Sequence, residues 1–283
     1  MNANPAKGDT MISARTTRFR SLDGLDLFGT LTVPEHVATS PTVLVHGGGV
    51  NREEGGFFTR LAEGLARAGS PSLRFDFRGH GESSGTQEEL TISGVANDIH
   101  AAVTHVCDET GSAKANIIGA SFGGGIAAYY TSRNPVLVRR LTLINPLLDY
   151  KKRFVDDKPY WNDDRINAEA GNLLEEKGSI EHSPTFKLGR ALLNEVFHVQ
   201  PHKALRHISA PTLIIHGTQD TFIPIESSRS AVSIMSGNAI LLEIDGAQHG
   251  IAIHDDPQYS DPQTQAWQGF VIDEIAKWLT EAD

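Results

Sequence analysis

The sequence predicts an α/β fold built on a mostly parallel β-sheet with helices on its faces. Short β-branched or apolar runs alternate along the chain with longer segments in which apolar residues recur at roughly three- and four-residue spacings, a pattern typical of βαβ units. The 283 residues are enough to form a sizeable core and do not require a division into separate units. We therefore expect a single domain over residues 1–283.

The chain begins with a predicted antiparallel hairpin, because β-rich runs at 16–20 and 25–33 flank the turn pair Asp23-Gly24. The parallel part follows, and Thr91 is the expected N-cap of its second helix. The predicted parallel strands are Thr42–Val45, 72–77, 115–119, 140–144, 211–216 and Ala239–Ile244. The predicted helices are 57–68, 91–109, 122–133, 227–235 and 264–279.

The alternation stops at about residue 147, and the pattern up to about 207 is helical, charged and aromatic. Connections in α/β folds usually have about two to six residues, so this length predicts an inserted helical cap or lid over 147–207. Its aromatic side chains can line a substrate pocket or anchor the lid to the core, and most of its charged side chains should be solvated. The aromatic residues are Tyr150, Phe154, Tyr160, Trp161, Phe186 and Phe197. The charged residues are Lys151, Lys152, Arg153, Asp156, Asp157, Asp163 and Asp164.

The composition and charge limit the expected binding partners and the expected cellular location. The net charge is -10 and no Lys/Arg-rich run occurs, which argues against nucleic acid or an anionic membrane surface as a partner. Residues 1–14 lack the apolar core of a secretory signal, and no run approaches the roughly 18 apolar residues of a membrane span, so we expect a cytoplasmic protein. Cys107 is the only cysteine, which excludes an internal disulfide, and its apolar helical context predicts a packed thiol. The oligomeric state stays open, a homodimer included.

The pattern Gly-x-Ser-x-Gly occurs twice, at 81–85 and at 119–123. A nucleophile elbow needs a strand before it, a strained turn between small residues and a helix after it. Ser121 has all of these, whereas Ser83 follows a loop and no helical pattern comes after it. We therefore predict Ser121 as a nucleophile and Ser83 as part of a structural turn.

A serine hydroxyl needs a base to take its proton, and the base needs an acid that fixes its tautomer. In this architecture the acid and the histidine come later in the chain, on loops after successive strands. Asp220 and His249 occupy those positions, which makes them the predicted acid and base. Asp245 is a rival acid, and His254, beside further aspartates, is typical of surface.

Acyl transfer also requires two N–H groups that bind the developing oxyanion. One donor is expected from Phe122, directly after the nucleophile, and the other from the glycine run that follows His46. Gly48 is the predicted second donor, and Gly49 is the alternative. An ordinary glycine-rich turn is the competing interpretation of this run.

Several segments together resemble the α/β-hydrolase superfamily over nearly the whole chain. They are His46-Gly47-Gly48-Gly49, Arg74-Phe75-Asp76-Phe77-Arg78-Gly79-His80-Gly81-Glu82-Ser83, the elbow at 119–123, the acid loop at 217–220 and the histidine loop at 246–250. The chain looks most similar to small cytoplasmic carboxylesterases, including cinnamoyl (feruloyl) esterases, and to serine aminopeptidase-like and monoacylglycerol lipase-like hydrolases.

The resemblance implies an α/β-hydrolase fold in which Ser121, Asp220 and His249 form a catalytic triad and Gly48 and Phe122 form the oxyanion hole. It also implies that 76–83 is a structural loop. Many relatives have a single bulky residue after His-Gly, so the three glycines here leave the identity of the second oxyanion donor and the width of the pocket open.

These observations predict a serine hydrolase that cleaves a small or medium acyl or aryl ester through an acyl-enzyme. No metal or organic cofactor is required by this chemistry. A thioesterase, an acyltransferase or a peptidase would use the same triad, so a thioester is an alternative small-molecule substrate. A ligand-binding protein of the same fold without catalysis is the alternative from another class.

Overall fold

The computed structural model describes residues 12–235 and 239–281. In chain order its strands are β1 (Ile12–Arg20), β2 (Asp26–Pro34), β3 (Thr42–Val45), β4 (Ser72–Asp76), β5 (Ala115–Ala120), β6 (Val138–Ile144), β7 (Trp161–Asn162), β8 (Arg165–Ile166), β9 (Ser179–Ser183), β10 (Phe186–Gly189), β11 (Thr212–Gly217) and β12 (Ala239–Ile244). Eight of them form one sheet with the order β1-β2-β4-β3-β5-β6-β11-β12.

The sheet is parallel from β4 to β12, whereas β2 pairs antiparallel with both β1 and β4. Every residue of β3, β5 and β11 is buried. Such strands require helices on both faces of the sheet, and this is why they appear in the sequence as apolar runs without alternation. The prediction of a mostly parallel sheet with an N-terminal antiparallel hairpin is confirmed.

The helices are α1 (Phe57–Arg67), α2 (Ile92–Thr110), α3 (Ser121–Arg133), α4 (Ala168–Lys177), α5 (Arg190–Glu195), α6 (Pro201–Ala204), α7 (Glu226–Ile234) and α8 (Pro262–Thr280). The predicted N-cap of α2 is confirmed, since the Thr91 hydroxyl accepts a hydrogen bond of 2.9 Å from the Gly94 N–H. This bond satisfies one of the donors that a helix leaves unpaired at its start.

The core lies on both faces of the sheet, because successive side chains of a strand point to opposite sides. Val43 belongs to a cluster with α2 and α3, whereas the next residue, Leu44, belongs to a cluster with α1 and α8. The two outer helices approach closely at Gly64, where an added Cβ would lie 2.2 Å from a methyl group of Ile272. Any larger residue at this position would push α1 and α8 apart.

The segment between β6 and β11 is helical only in part. It contains a π-helical turn (Lys152–Asp156) and the helices α4 to α6, but also the hairpins β7–β8 and β9–β10. The expectation of a helical insertion holds for these helices but is wrong for the two hairpins, whose strands of two to five residues are too short for a periodic pattern. The division into one domain with a cap at 147–207 stays a prediction.

The structure also bears on the sequence predictions for Cys107 and for membrane-spanning segments. Cys107 is half-buried against the cluster on the α2 side, and burial raises the pKa of its thiol, as expected of a packed cysteine. Among the described residues, no helix combines the length and the apolar character needed to cross a lipid bilayer. The cytoplasmic location and the oligomeric state stay predictions.

Candidate active site

Ser121 lies at the junction of β5 and α3 with a φ of 49°, in the left-handed region that side chains other than glycine rarely adopt. Its neighbours at two residues on either side leave no room for a Cβ. A Cβ on Gly119 would lie 2.7 Å from the Ala127 Cβ, and one on Gly123 would lie 2.2 Å from the His46 carbonyl oxygen. The predicted strand, strained turn and helix around Ser121 are confirmed, and they project its hydroxyl from the carboxyl edge of the sheet.

The structure brings the three predicted side chains together in a row. The Ser121 Oγ lies 3.0 Å from His249 Nε2, and His249 Nδ1 lies 2.8 Å from an Asp220 carboxylate oxygen. If Nδ1 carries the proton, it donates to Asp220, and Nε2 can then accept the proton of the serine hydroxyl. These three residues are far apart in the sequence. Ser121 follows β5, Asp220 follows β11 and His249 follows β12.

Asp220 is held as a buried carboxylate. Its side chain is fully buried, and it accepts hydrogen bonds from the side chain of Asn145 (2.7 Å) and from the N–H groups of Phe222 (2.8 Å) and Ile223 (2.9 Å). Burial acts to raise the pKa of Asp220, but hydrogen bonds from His216 and His249 outweigh it and hold this pKa well below its usual range. The Asp220 carboxyl group is therefore charged at neutral pH.

The rival residues lie elsewhere. Asp245 accepts a hydrogen bond of 3.2 Å from the hydroxyl of Thr218. His254 is exposed beside Asp255, with 3.5 Å between its ring nitrogen and the carboxylate. Within the described residues, neither rival forms a hydrogen bond or an ion pair with Ser121, Asp220 or His249.

The glycine loop after β3 lies against the elbow, since a Cβ on Gly47 would be 3.3 Å from the Ser121 Cβ. Two of its N–H groups are already in use: Gly47 donates to a Glu54 carboxyl oxygen (2.7 Å), and Gly49 donates to His80 Nε2 (3.0 Å). The Gly48 N–H between them has no hydrogen-bond partner within the described residues. The engaged Gly49 N–H favours Gly48 over Gly49 as the second oxyanion donor, and the choice between them stays a prediction.

Glu54 is a site residue that the sequence interpretation missed. It has a φ of 46°, and its carboxyl lies between the Gly47 amide and the loop of His249. Burial raises the pKa of Glu54 to about 7, against the opposing effects of the Gly47 N–H and His249. The signal in the sequence was the pair Glu53-Glu54 followed by two glycines just before α1, which permits a strained turn.

Phe186 of β10 covers the glycine loop, and a Cβ on Gly48 would lie 2.8 Å from its ring. The same ring packs edge-to-face on Phe122, with 5.1 Å between the ring centroids. Tyr150 and Phe154 also pack on Phe122, and both are buried. The predicted aromatic residues thus divide: Tyr150 and Phe154 anchor the segment to the core, whereas Phe186 lies over the site.

Ser83, in the second Gly-x-Ser-x-Gly pattern, has a structural role. Its Oγ accepts a hydrogen bond of 2.9 Å from the Phe28 N–H and donates one to the Asp76 carbonyl oxygen. The Asp76 carboxylate in turn accepts from the N–H groups of Arg52 (2.7 Å) and Glu82 (3.0 Å). These bonds join the loop to β2 and β4, as the sequence predicts for a structural turn.

Two surface clefts lie beside the site. One, of about 560 Å³, is lined in part by Gly49, Glu54, His80 and Tyr259. The other, of about 330 Å³, is lined in part by His249 and again by Tyr259. Solvent and small molecules can therefore approach the imidazole and the glycine loop from outside.

Residues 41–195, more than half of the chain, match the family model described as alpha/beta hydrolase fold. The protein belongs to this family. Its fold is similar to that of Est1E from Butyrivibrio proteoclasticus with bound ferulic acid, with a TM-score of 0.73 and 22% identity, covering 92% of this chain and 100% of that one.

Two relatives by sequence are similar over most of their length. A monoacylglycerol lipase from Mycolicibacterium smegmatis is 23% identical, covering 92% of this chain and 95% of the relative. A 2-hydroxy-6-oxononadienedioate/2-hydroxy-6-oxononatrienedioate hydrolase from Cupriavidus pinatubonensis is 26% identical, covering 78% and 85%. These findings confirm the predicted resemblance: the chain is an esterase-like member of the α/β-hydrolase superfamily.

Proposed function

We propose that the protein is a serine hydrolase that cleaves small or medium acyl or aryl esters, with Ser121, His249 and Asp220 as its catalytic triad. The observation that carries this proposal is the continuous row of hydrogen bonds from the Ser121 hydroxyl through the imidazole to a buried carboxylate. This row starts at a strained residue on a glycine-flanked elbow. An ordinary structural serine requires neither the strain nor the imidazole.

In the proposed reaction, His249 takes the proton of Ser121 as its Oγ attacks the ester carbonyl, and Asp220 stabilises the imidazolium that forms. The tetrahedral intermediate collapses when His249 returns the proton to the leaving alcohol, which leaves an acyl group on Ser121. A water molecule activated by the same imidazole then attacks the acyl-enzyme and releases the acid. Each proton is returned within the cycle, so this scheme requires no cofactor.

The oxyanion is bound by the N–H groups of Phe122 and Gly48 in this proposal. The Phe122 amide is in the first turn of α3, where helix N–H groups are unpaired and the helix dipole favours negative charge. The Gly48 amide has no partner within the described residues, and the amides on both sides of it are held by Glu54 and His80. Such fixed donors lower the barrier because they need little reorganisation as charge develops.

The substrate class rests on the surroundings of the triad and on the relatives. The segment 147–207 acts as a lid in this proposal, and its Phe186 forms an aromatic wall over the glycine loop. A structure with bound ferulic acid and a monoacylglycerol lipase are among the similar proteins. Both names fit an ester with an apolar acyl or aryl group, which an aromatic wall would contact.

A substrate panel tests the proposal. Purified wild-type protein is assayed on p-nitrophenyl esters of graded acyl length, on acyl thioesters and on aminoacyl amides. We expect ester hydrolysis, and we expect Ser121→Ala to lower kcat by about 10³- to 10⁶-fold with an unchanged melting temperature. Turnover of thioesters or amides alone would replace the esterase assignment, and near-normal activity of the alanine variant would refute the role of Ser121.

A further inference from the structure

Arg153, in the π-helical turn that follows β6, lies close to the catalytic row. Its guanidinium carbon is 4.0 Å from the centre of the Phe222 ring, and this ring is 4.9 Å from that of His249. The imidazole in turn contacts the Ser121 hydroxyl. A single aromatic ring therefore separates a permanent positive charge from the base of the proposed triad.

The charge of Arg153 lacks a carboxylate partner. Its Nε is buried without a hydrogen bond, and no carboxylate among the described residues lies within 4.0 Å of its guanidinium. The preceding lysines differ: Lys151 pairs with two aspartates and Lys152 with one. A partly buried guanidinium that stacks on an aromatic ring but forms no ion pair is costly to desolvate, and a bound anion would offset this cost.

Two more nitrogen-bearing side chains share this region. Lys158 is half-buried and has no carboxylate within 4.0 Å in the described part of the chain, and its pKa is lowered by burial and by the nearby Arg153. The centre of the His182 ring lies 6.4 Å from the centre of the Phe222 ring, and the buried His182 Nδ1 has no hydrogen-bond partner among the described residues. Burial, followed by the charges of Lys158 and Arg153, lowers the pKa of His182 to about 4, so this ring is neutral at pH 7.

The nearby acids do not neutralise this cluster. Asp157 and Asp220 act on Arg153 electrostatically, but each has another partner. Asp157 pairs with Lys152, and Asp220 accepts its hydrogen bonds from the histidine loop and from backbone amides. The region beside the base therefore keeps an excess of positive charge that an anionic ligand would balance.

We propose that Arg153, with Lys158 and His182, forms a carboxylate-binding subsite, so that the preferred substrate is an ester that carries a carboxylate away from the reacting carbonyl. This inference rests on the proposed esterase function and names its substrate class. The planar guanidinium can bind both oxygens of a carboxylate, and Phe222 holds it by stacking beside the base. The anchored carboxylate would orient the reacting carbonyl toward Ser121.

Matched substrates test the subsite. The first pair carries the carboxylate on the acyl side of the ester. Its members are the mono-p-nitrophenyl ester of adipic acid and the same ester with the free carboxylate replaced by a primary amide. The corresponding suberic acid compounds provide a longer version of this pair. The second pair is the butyrate ester of 3-(4-hydroxyphenyl)propanoate and of its primary amide, so that the carboxylate is on the alcohol side. The amide has nearly the shape of the carboxylate but no charge. The measured quantity is the ratio of kcat/KM for the carboxylate over the amide.

For the wild type we expect the ratio of kcat/KM, carboxylate over amide, to be about tenfold or more in at least one pair. The pair that shows this preference identifies the side of the ester on which the subsite lies. Arg153→Met should lower that ratio to near one, and Arg153→Lys should give an intermediate ratio, because it keeps the charge without the planar fork. Lys151→Met removes the same charge two positions away and should leave the ratio unchanged, because its partners Asp156 and Asp164 are not the aspartates that act on Arg153.

Other outcomes overturn the subsite. A wild-type ratio near one in both pairs contradicts it, as does an Arg153→Met variant that keeps the wild-type ratio. In both cases hydrolysis of the amide members shows that the esterase proposal survives. If no ester is hydrolysed and a fluorophosphonate does not label Ser121, both proposals fail.

Discussion

Two segments of the chain share the pattern Gly-x-Ser-x-Gly, yet their hydroxyl groups have different partners. The Ser83 hydroxyl donates to a backbone carbonyl and accepts from a backbone amide. The only hydrogen-bond partner of the Ser121 hydroxyl among the described residues is an imidazole. The first serine joins a loop to the sheet, whereas the second remains available to a substrate.

The difference arises from the elements around each pattern. Residues 119–123 connect a buried strand directly to a helix, and Ser121 occupies the left-handed backbone region. Residues 81–85 lie in a loop whose glycines take the positive φ angles at 81 and 85. The motif therefore has chemical meaning only where strain falls on the serine and an imidazole can reach it.

The largest expected effect concerns the acid that orients His249. Asp220→Asn removes the charge that fixes the imidazole tautomer, and Ser121 should then become as unreactive as Ser83. We expect kcat for a p-nitrophenyl ester to fall by about 10⁴-fold, the loss measured for the same change in another serine hydrolase. Asp245→Asn is the matched control and should keep activity within about twofold. A larger loss of kcat in Asp245→Asn than in Asp220→Asn would show that Asp245, not Asp220, is the acid that orients His249.

The converse change tests the structural serine. Ser83→Ala leaves the partly buried Phe28 N–H without an acceptor, and we expect the free energy of unfolding to fall by about 1–2 kcal/mol in urea titrations. Ester hydrolysis should stay within about twofold of the wild type. The neighbouring Ser84 hydroxyl makes no hydrogen bond within the described residues, so Ser84→Ala should change stability by less than about 0.5 kcal/mol. Loss of activity in the Ser83 variant at unchanged stability would contradict the comparison.

The carboxyl groups near the two serines also differ. Asp76, beside Ser83, is paired with Arg52, whereas Glu54, beside Ser121, has no cation within 4.0 Å in the described part of the chain. Because its folded pKa is about 7, the folded state binds more protons than the unfolded state between about pH 4.3 and 7. The contribution of Glu54 to stability is therefore lost as pH rises through this window.

Glu54→Gln cannot ionise, and it keeps an oxygen for the Gly47 N–H. At pH 8 we expect this variant to exceed the wild type in the free energy of unfolding by about 1–2 kcal/mol, with a difference that shrinks toward pH 4. Denaturant titrations at several pH values measure it. Glu53→Gln is the control and should give no gain at pH 8, since its carboxylate is paired with Arg74. An equal pH dependence in the wild type and the Glu54 variant would show that Glu54 titrates normally.

The sheet and the elbow could be predicted because their sequence signals are local. Buried parallel strands appear as apolar runs, and the strained turn requires small residues such as Gly119 and Gly123 at fixed positions. The order of elements then assigned Asp220 and His249 to loops at the same sheet edge, where the structure places them in contact. Each step needed only the pattern within one element and the order of the elements.

The roles of Glu54 and Arg153 could not be predicted, because they depend on the lack of an ion-pair partner among the described residues. A sequence shows that a glutamate or an arginine is present, but only the fold shows that none of the described residues forms an ion pair with it within 4.0 Å. The hairpins β7–β8 and β9–β10 were missed for a related reason. The strands of each hairpin are stabilised by pairing with each other. Because these strands are so short, their residues show no detectable hydrophobic period.

Covalent labelling can identify which of the two serines is the nucleophile. A fluorophosphonate probe reacts with an activated serine, and peptide mass spectrometry locates the modified residue. We expect stoichiometric labelling of Ser121, abolished in His249→Ala, with no label on Ser83. Label on Ser83, or no label on the folded wild-type protein, would contradict it.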